Sequence, residues 1–122
     1  MKKNFTLLLL WTLILLGILL SPIRENIILN PIGIRYFDKI AHLGLFFITG
    51  FVCVYGASFL STFRYRLIFG LLFGMILAFG TEFGQSLVPF RDMSIYDLAA
   101  DFVGLFLGLL LYTLIFCWKL KL

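Results

Sequence analysis

Ionisable and amide side chains form three short groups in a sequence that is otherwise strongly apolar. In each group two of the polar residues are three or four positions apart, so they share one face of a helix. Together they offer carboxylates, an imidazole and cations, which suit acid–base chemistry or the binding of a charged ligand. In chain order the groups are Asp38, Lys39 and His42; Glu82 and Gln85; and Arg91, Ser94, Asp97 and Asp101.

Two of these carboxylates, Glu82 and Asp101, lie inside long apolar runs. A carboxylate in hydrocarbon costs several kcal/mol unless it is paired, hydrated or protonated, so both should face inward toward a cation. The candidate partners are Lys39, Arg91 and His42. Ionisable residues at this depth favour a functional role, with His42 and Glu82 as candidate acid–base groups.

A purely structural role is the alternative for the same residues. Ion pairs between Glu82 and Arg91, and between Asp97 and Lys39, would pin helix ends together without binding anything.

The one histidine of the chain, His42, has two further interpretations. As a packing residue it would be hydrogen-bonded to Asp38 or Glu82. As a metal ligand it would need Glu82, Asp97 and Asp101 nearby, and one histidine with carboxylates suits a hard cation better than structural zinc. No ligand-spacing motif supports such a site, so we expect neither a metal nor another cofactor.

The elements that position these residues are transmembrane helices. Of the 122 residues, 62% are hydrophobic and only 13% are charged, too few to cover a small soluble domain. Apolar stretches at 5–20, 40–60, 67–90 and 98–118 match the length of about 20 residues that crosses a bilayer. Strands are disfavoured because the runs lack alternation and four strands cannot close a barrel. We predict a single all-α domain, a bundle of four transmembrane helices.

Basic residues indicate the orientation of the bundle. The N-terminus, the second connection and the C-terminus carry six bases and no acid, whereas the other two connections carry four bases offset by acids. The purely basic side should be cytoplasmic, which places both termini inside. The bases flank the spans and form no stripe, so nucleic acid is not expected as a partner.

The first connection, residues 21–37, is predicted to be irregular or to lie along the outer interface, because Asn30-Pro31 and Gly33 interrupt an apolar stretch. No signal-cleavage pattern follows the first span, so we expect a retained helix. Glycines four residues apart should allow close helix approach. These pairs are Gly70 and Gly74, Gly80 and Gly84, and Gly104 and Gly108.

Alternating spans bring the three polar groups together. The start of the second helix, the end of the third and the start of the fourth all lie at the outer face. The sequence therefore predicts one polar site there, and this prediction depends on the span count.

The same residues carry a family resemblance. Residues 38–42 (DKIAH) resemble the D-K-x-x-H opening of the VanZ-like membrane family. Residues 82–91 resemble its E-x-x-Q…P-x-R element, and residues 94–108 resemble its S-x-x-D-hydrophobic…G-x-x-x-G ending. The ordered set is specific and covers most of the chain.

The resemblance implies a small multi-pass protein of the bacterial cytoplasmic membrane with no established enzymatic activity. The family's namesake is associated with reduced susceptibility to the glycopeptide teicoplanin. One departure is Asp101, where the family usually has asparagine, so this chain has an additional charge in the site. The residues carried over are Asp38, Lys39, His42, Glu82, Gln85, Arg91, Ser94 and Asp97.

Non-enzymatic binding is the preferred function, with an envelope lipid, a cell-wall precursor or a glycopeptide as ligand. Lys39 and Arg91 would hold its anionic group. Gln85, Ser94 and Asp97 would orient it. The alternatives are an intramembrane enzyme, for which no nucleophile motif is present, and a purely structural cluster.

Overall fold

Four long helices build the part of the chain that the structure describes. The computed structural model describes residues 2–21, 37–89 and 92–121, and in these residues every helix longer than one turn is long and apolar enough to cross a membrane. The helices are α1 (Lys2–Leu19), α2 (Phe37–Gly56), α3 (Phe63–Ser86) and α4 (Ile95–Lys121). No strand occurs in the described residues. The predicted fold class, an all-α bundle of four candidate spans, is confirmed.

Local hydrogen bonds set the helix boundaries. After α2 the chain makes a 3-10 turn, Ala57–Phe59, and Arg66 at the start of α3 donates back to the Leu60 carbonyl at 2.7 Å. At the other end of the bundle the Ser94 side chain accepts a hydrogen bond from the Asp97 N–H at 3.4 Å, as an N-cap residue does. The Ser94 cap thus starts α4 at Ile95, before its apolar stretch begins.

Two predictions concern features that the described residues do not cover. Most of the first connection, residues 22–36, lies outside them, so its interfacial character stays a prediction. The orientation with both termini inside also stays a prediction, because it depends on the distribution of charge and not on the bundle itself.

The packing of α2 against α4 brings the two backbones into direct contact. A Cβ atom at Gly104 would overlap the carbonyl oxygen of Leu43, and one at Gly108 would overlap that of Phe47. Gly50 supplies a matching small surface on α2. The G-x-x-x-G pair therefore does what its spacing predicts, since only residues without a side chain allow this approach.

The other two glycine pairs differ in how closely they pack against neighbouring helices. Gly70 and Gly74 both pack against side chains of neighbouring helices, and Gly84 packs against Leu20. A Cβ at Gly80, by contrast, would meet no atom within 4 Å among the residues described. The expected contact at Gly80 is therefore wrong, because this position faces away from the bundle.

Polar contacts attach α1 to the neighbouring helices α2 and α3. The Trp11 indole N–H donates to the Thr49 hydroxyl of α2 at 2.9 Å. The Gln85 amide of α3 donates to the Leu19 carbonyl at 3.0 Å. These bonds hold α1 at both the middle and the end of the bundle, and Leu15 and Leu19 are fully buried beside them.

Gly108→Ala tests the α2–α4 contact. We expect a loss of about 1–3 kcal/mol in unfolding free energy, because the added methyl group forces the helices apart. The matched control is Gly44→Ala on α2, where a Cβ would meet no atom within 4 Å in the part of the chain that the structure describes. Thermal unfolding in detergent should show a lower Tm for Gly108→Ala only; equal Tm values would contradict the close contact.

Candidate functional site

Three helix ends meet at one end of the bundle, as the span count predicts. We call the side chains gathered there the polar cluster. Direct contacts of 2.9 to 3.7 Å join α2 to α4 and α2 to α3. The polar cluster consists of Asp38, Lys39 and His42 of α2, Glu82 of α3, and Asp97 and Asp101 of α4.

His42 lies at the centre of the polar cluster and is fully buried. Its Nδ1 is 2.9 Å from Asp101 Oδ1, within hydrogen-bond distance, and 3.7 Å from Glu82 Oε1. Its Nε2 is 3.8 Å from Asp97 Oδ2. Three carboxylates therefore surround one imidazole ring, two near Nδ1 and one near Nε2.

The hydrogen-bond partner of His42 differs from the two that the sequence suggested. Asp38 is turned toward Lys39, with 2.6 Å between Oδ2 and Nζ, because it sits at the helix end near the surface. Glu82 is close to His42 but beyond hydrogen-bond distance. Asp101, which the sequence placed near His42 only in the metal-ligand interpretation, is the direct partner.

Lys39 links α2 to α4 across the rim of the polar cluster. Its Nζ is 3.0 Å from Asp97 Oδ1 as well as in contact with Asp38, so the predicted Asp97–Lys39 pair is present. The Lys39 side chain is 31% exposed and that of Asp97 is 3% exposed. The ammonium group therefore stands between the surface and a buried carboxylate.

The hairpin between α3 and α4 orients Glu82. The backbone N–H of Ser94 donates to Glu82 Oε2 at 3.1 Å, and this leaves Oε1 as the oxygen nearer His42. Glu82 is completely buried, so a fixed donor from the hairpin lowers the cost of its charge.

The remaining predicted site residues have other surroundings. Gln85 is buried and its amide is engaged by α1, and Ser94 is engaged by the hairpin contacts given above. A ligand-binding role for either stays a prediction. Arg91, and with it the predicted Glu82–Arg91 pair, lies outside the described residues.

Acidic groups outnumber basic groups in the polar cluster. Its members are four carboxyl groups, one ammonium and one imidazole, and four of the six side chains are almost completely buried. Buried carboxylates are stable only when they share protons, hydrogen bonds or cations. The arrangement therefore suits holding a proton or a cation in its interior, with Lys39 available at its rim.

Three of these residues also have the positions that metal coordination requires. His42, Glu82 and Asp101 each offer one ligand atom, and these atoms lie within 4.8 Å of one another. The sequence offered no spacing motif for this set because its members come from three different helices.

No family model, curated protein or solved structure matches this chain. The resemblance to the VanZ-like family stays a prediction from its motifs.

Lys39→Met tests whether the rim bridge stabilises the bundle. Removing the ammonium leaves the buried Asp97 carboxylate without this partner, so we expect a loss of about 1–3 kcal/mol in unfolding free energy. Lys121→Met, at the exposed end of α4, is the matched control and should leave the Tm unchanged. Lys39→Met combined with Asp97→Asn should be more stable than Lys39→Met alone, and a further loss would contradict the bridge.

Proposed function

We propose that this chain is a VanZ-like protein of the bacterial cytoplasmic membrane that binds the polar head of an envelope amphiphile at the polar cluster. The ligand class is an amphiphile with a phosphate or carboxylate group, such as an envelope lipid, a lipid-linked cell-wall precursor or a lipophilic glycopeptide. Binding, and not chemistry, is the function that the residues support best.

The depth of the polar cluster is the observation that carries this proposal. His42, Glu82 and Asp101 are each four to six residues from the near end of their helix, or about 6–9 Å along the axis. A bilayer has about 5–8 Å of headgroup region on each side of its hydrocarbon core. The polar cluster would therefore lie within one to two helical turns of the headgroup region, where the polar head of an amphiphile could approach it from the bilayer.

The exposed fractions of the side chains also indicate that a ligand would approach the polar cluster from the near end of the bundle. Asp38 and Lys39 are its partly exposed members, while the deeper groups are closed off. An anionic headgroup would meet Lys39 first and compete with Asp38 and Asp97 for its ammonium group. Arg91 would supply a second cation, as the sequence predicts.

Ligand-induced stabilisation of the detergent-purified protein tests the proposal. A phosphatidylglycerol, a polyprenyl-pyrophosphate-linked precursor and teicoplanin would be compared, and at least one at saturation should raise the Tm by about 5 °C. Arg91→Ala should remove most of this shift. Arg64→Ala, a matched change on the opposite, basic side of the bundle, should retain it.

Two results would count against binding at the polar cluster. One is a Tm that none of the three ligands changes. The other is an equal loss of the shift in both arginine variants, because that would indicate a general effect of positive charge on anionic amphiphiles.

An intramembrane enzyme is the second candidate, and the His42–Asp101 contact favours it. A histidine held by a carboxylate at Nδ1 is the usual form of a general base, with Nε2 as the nitrogen that would take the proton, and Glu82 beside Nδ1 would then share in orienting the ring. Glu82→Gln should then change the envelope lipid profile of the host cell, whereas Asp92→Asn in the exposed hairpin should not. Identical lipid profiles for wild type and Glu82→Gln would argue against chemistry.

A further inference from the structure

The three candidate ligand atoms at the centre of the polar cluster lie within 4.8 Å of one another, close enough to converge on one metal ion. We propose that His42, Glu82 and Asp101 bind one divalent cation. His42 Nδ1 is 2.9 Å from Asp101 Oδ1 and 3.7 Å from Glu82 Oε1. Two ligand atoms that are each about 2.1 Å from a metal are about 3.0–3.4 Å apart in octahedral or tetrahedral geometry. The Glu82 and Asp101 oxygens lie within 4.8 Å of each other, so a movement of about 1 Å of one carboxylate would complete the set.

An unpartnered buried oxygen gives a second, independent reason. Asp101 Oδ2 has no hydrogen-bond partner among the described residues, although the side chain is fully buried. A buried polar atom without a partner is costly and requires an explanation. A cation held by the Asp101 carboxylate would satisfy Oδ2 together with Oδ1.

The residues around the three ligands would orient each of them. With Nδ1 directed to the cation, His42 carries its proton on Nε2, which faces Asp97 Oδ2 at 3.8 Å. Asp97 is in turn held by Lys39. Metal-binding histidines usually have such a carboxylate beyond the second ring nitrogen, where it fixes the tautomer and the ring orientation.

Glu82 is oriented from the other side. The Ser94 N–H holds Oε2, and Oε1 is the oxygen that faces His42 Nδ1. A carboxylate fixed through one oxygen presents the other without further loss of conformational freedom. Each of the three ligands thus has a defined neighbour or a defined unsatisfied atom.

The donor set also indicates the kind of cation. Imidazole nitrogen favours transition metals and carboxylate oxygen favours harder ions, so a mixed set of one imidazole and two carboxylates suits Mn²⁺. This reverses the expectation from sequence that the chain holds no metal. That expectation rested on spacing along the chain, which says nothing about ligands from three helices.

The bound cation would add a contact for the headgroup in the proposed function. Only this headgroup contact rests on the proposed function. Three protein ligands leave coordination positions open, and these could take a phosphate or carboxylate oxygen of the headgroup. Binding of the metal ion to the protein does not require a lipid and can be measured without one.

Mn²⁺ alone is the probe for the site. The full chain would be purified through a tag without histidine, stripped with a chelator and titrated with Mn²⁺ while electron paramagnetic resonance measures the free ion. We expect one tightly bound Mn²⁺ per chain. Asp101→Asn, which keeps the shape of the side chain, should weaken binding by at least about tenfold. Asp92→Asn, an equal loss of charge in the exposed hairpin, should bind like wild type.

A spectroscopic measurement on the wild-type protein avoids any dependence on variant folding. Because His42 is the one histidine of the chain, a coordinated imidazole nitrogen in the spin-echo modulation of bound Mn²⁺ identifies it without a substitution. Nitrogen modulation with stoichiometric binding supports the site. Sub-stoichiometric binding, no nitrogen signal, or equal affinity in the two aspartate variants would overturn it.

A last comparison separates this inference from the proposed function. The ligand-induced Tm shift would be measured with and without Mn²⁺. A shift larger with Mn²⁺ supports both proposals together. Equal shifts would leave headgroup binding intact and remove the metal from it. Bound Mn²⁺ with no shift for any ligand would retain the metal site and overturn the proposed function.

Discussion

The close contact between the backbones of α2 and α4 is the constraint on which the polar cluster depends. These helices start at the same end of the bundle and run parallel, with Gly104 and Gly108 against the carbonyl groups of Leu43 and Phe47. The same register places His42, the residue before Leu43, opposite Asp101, three residues before Gly104, at 2.9 Å. A single contact surface thus fixes both the tight packing and the pairing of charges. Side chains in place of the glycines would separate the helices by several ångströms and open the histidine–carboxylate contact.

Burial of these charged groups lowers the stability of the folded bundle, and this cost bears on the role of the polar cluster. Replacing a buried set of charges by apolar side chains of similar volume is often neutral or stabilising by about 1–4 kcal/mol. A bundle selected for stability alone would have no reason to place Glu82 and Asp101 at 0% exposure beside one imidazole. The hairpin donor to Glu82 and the lysine on Asp97 reduce the cost and do not remove it. This balance favours a site that binds something over a set of helix pins.

The sequence predicts where the helices lie along the chain but not how each helix is rotated about its axis. Long apolar runs predict the four helices, and alternation of the spans predicts which polar groups meet. The Lys39–Asp97 pair follows from their positions at two neighbouring helix ends. The His42–Asp101 contact does not follow, because it depends on how far α4 is rotated about its axis. The same limit explains Gly80, whose spacing matches the packed glycines but whose face is turned away from the bundle.

Lys39 and the deeper carboxylates form one coupled system. In the described part of the chain, the negative charge of Asp38 and Asp97 holds the Lys39 ammonium at the rim. A cation between His42, Glu82 and Asp101 would offset the negative potential behind Asp97 and weaken that hold. Lys39 would then be more available to an anionic headgroup, and by linkage the headgroup would favour binding of the cation to the same degree. Under the two proposals, the closed interior with its carboxyl groups and the partly exposed lysine would act as complementary parts of a single site for an anionic amphiphile.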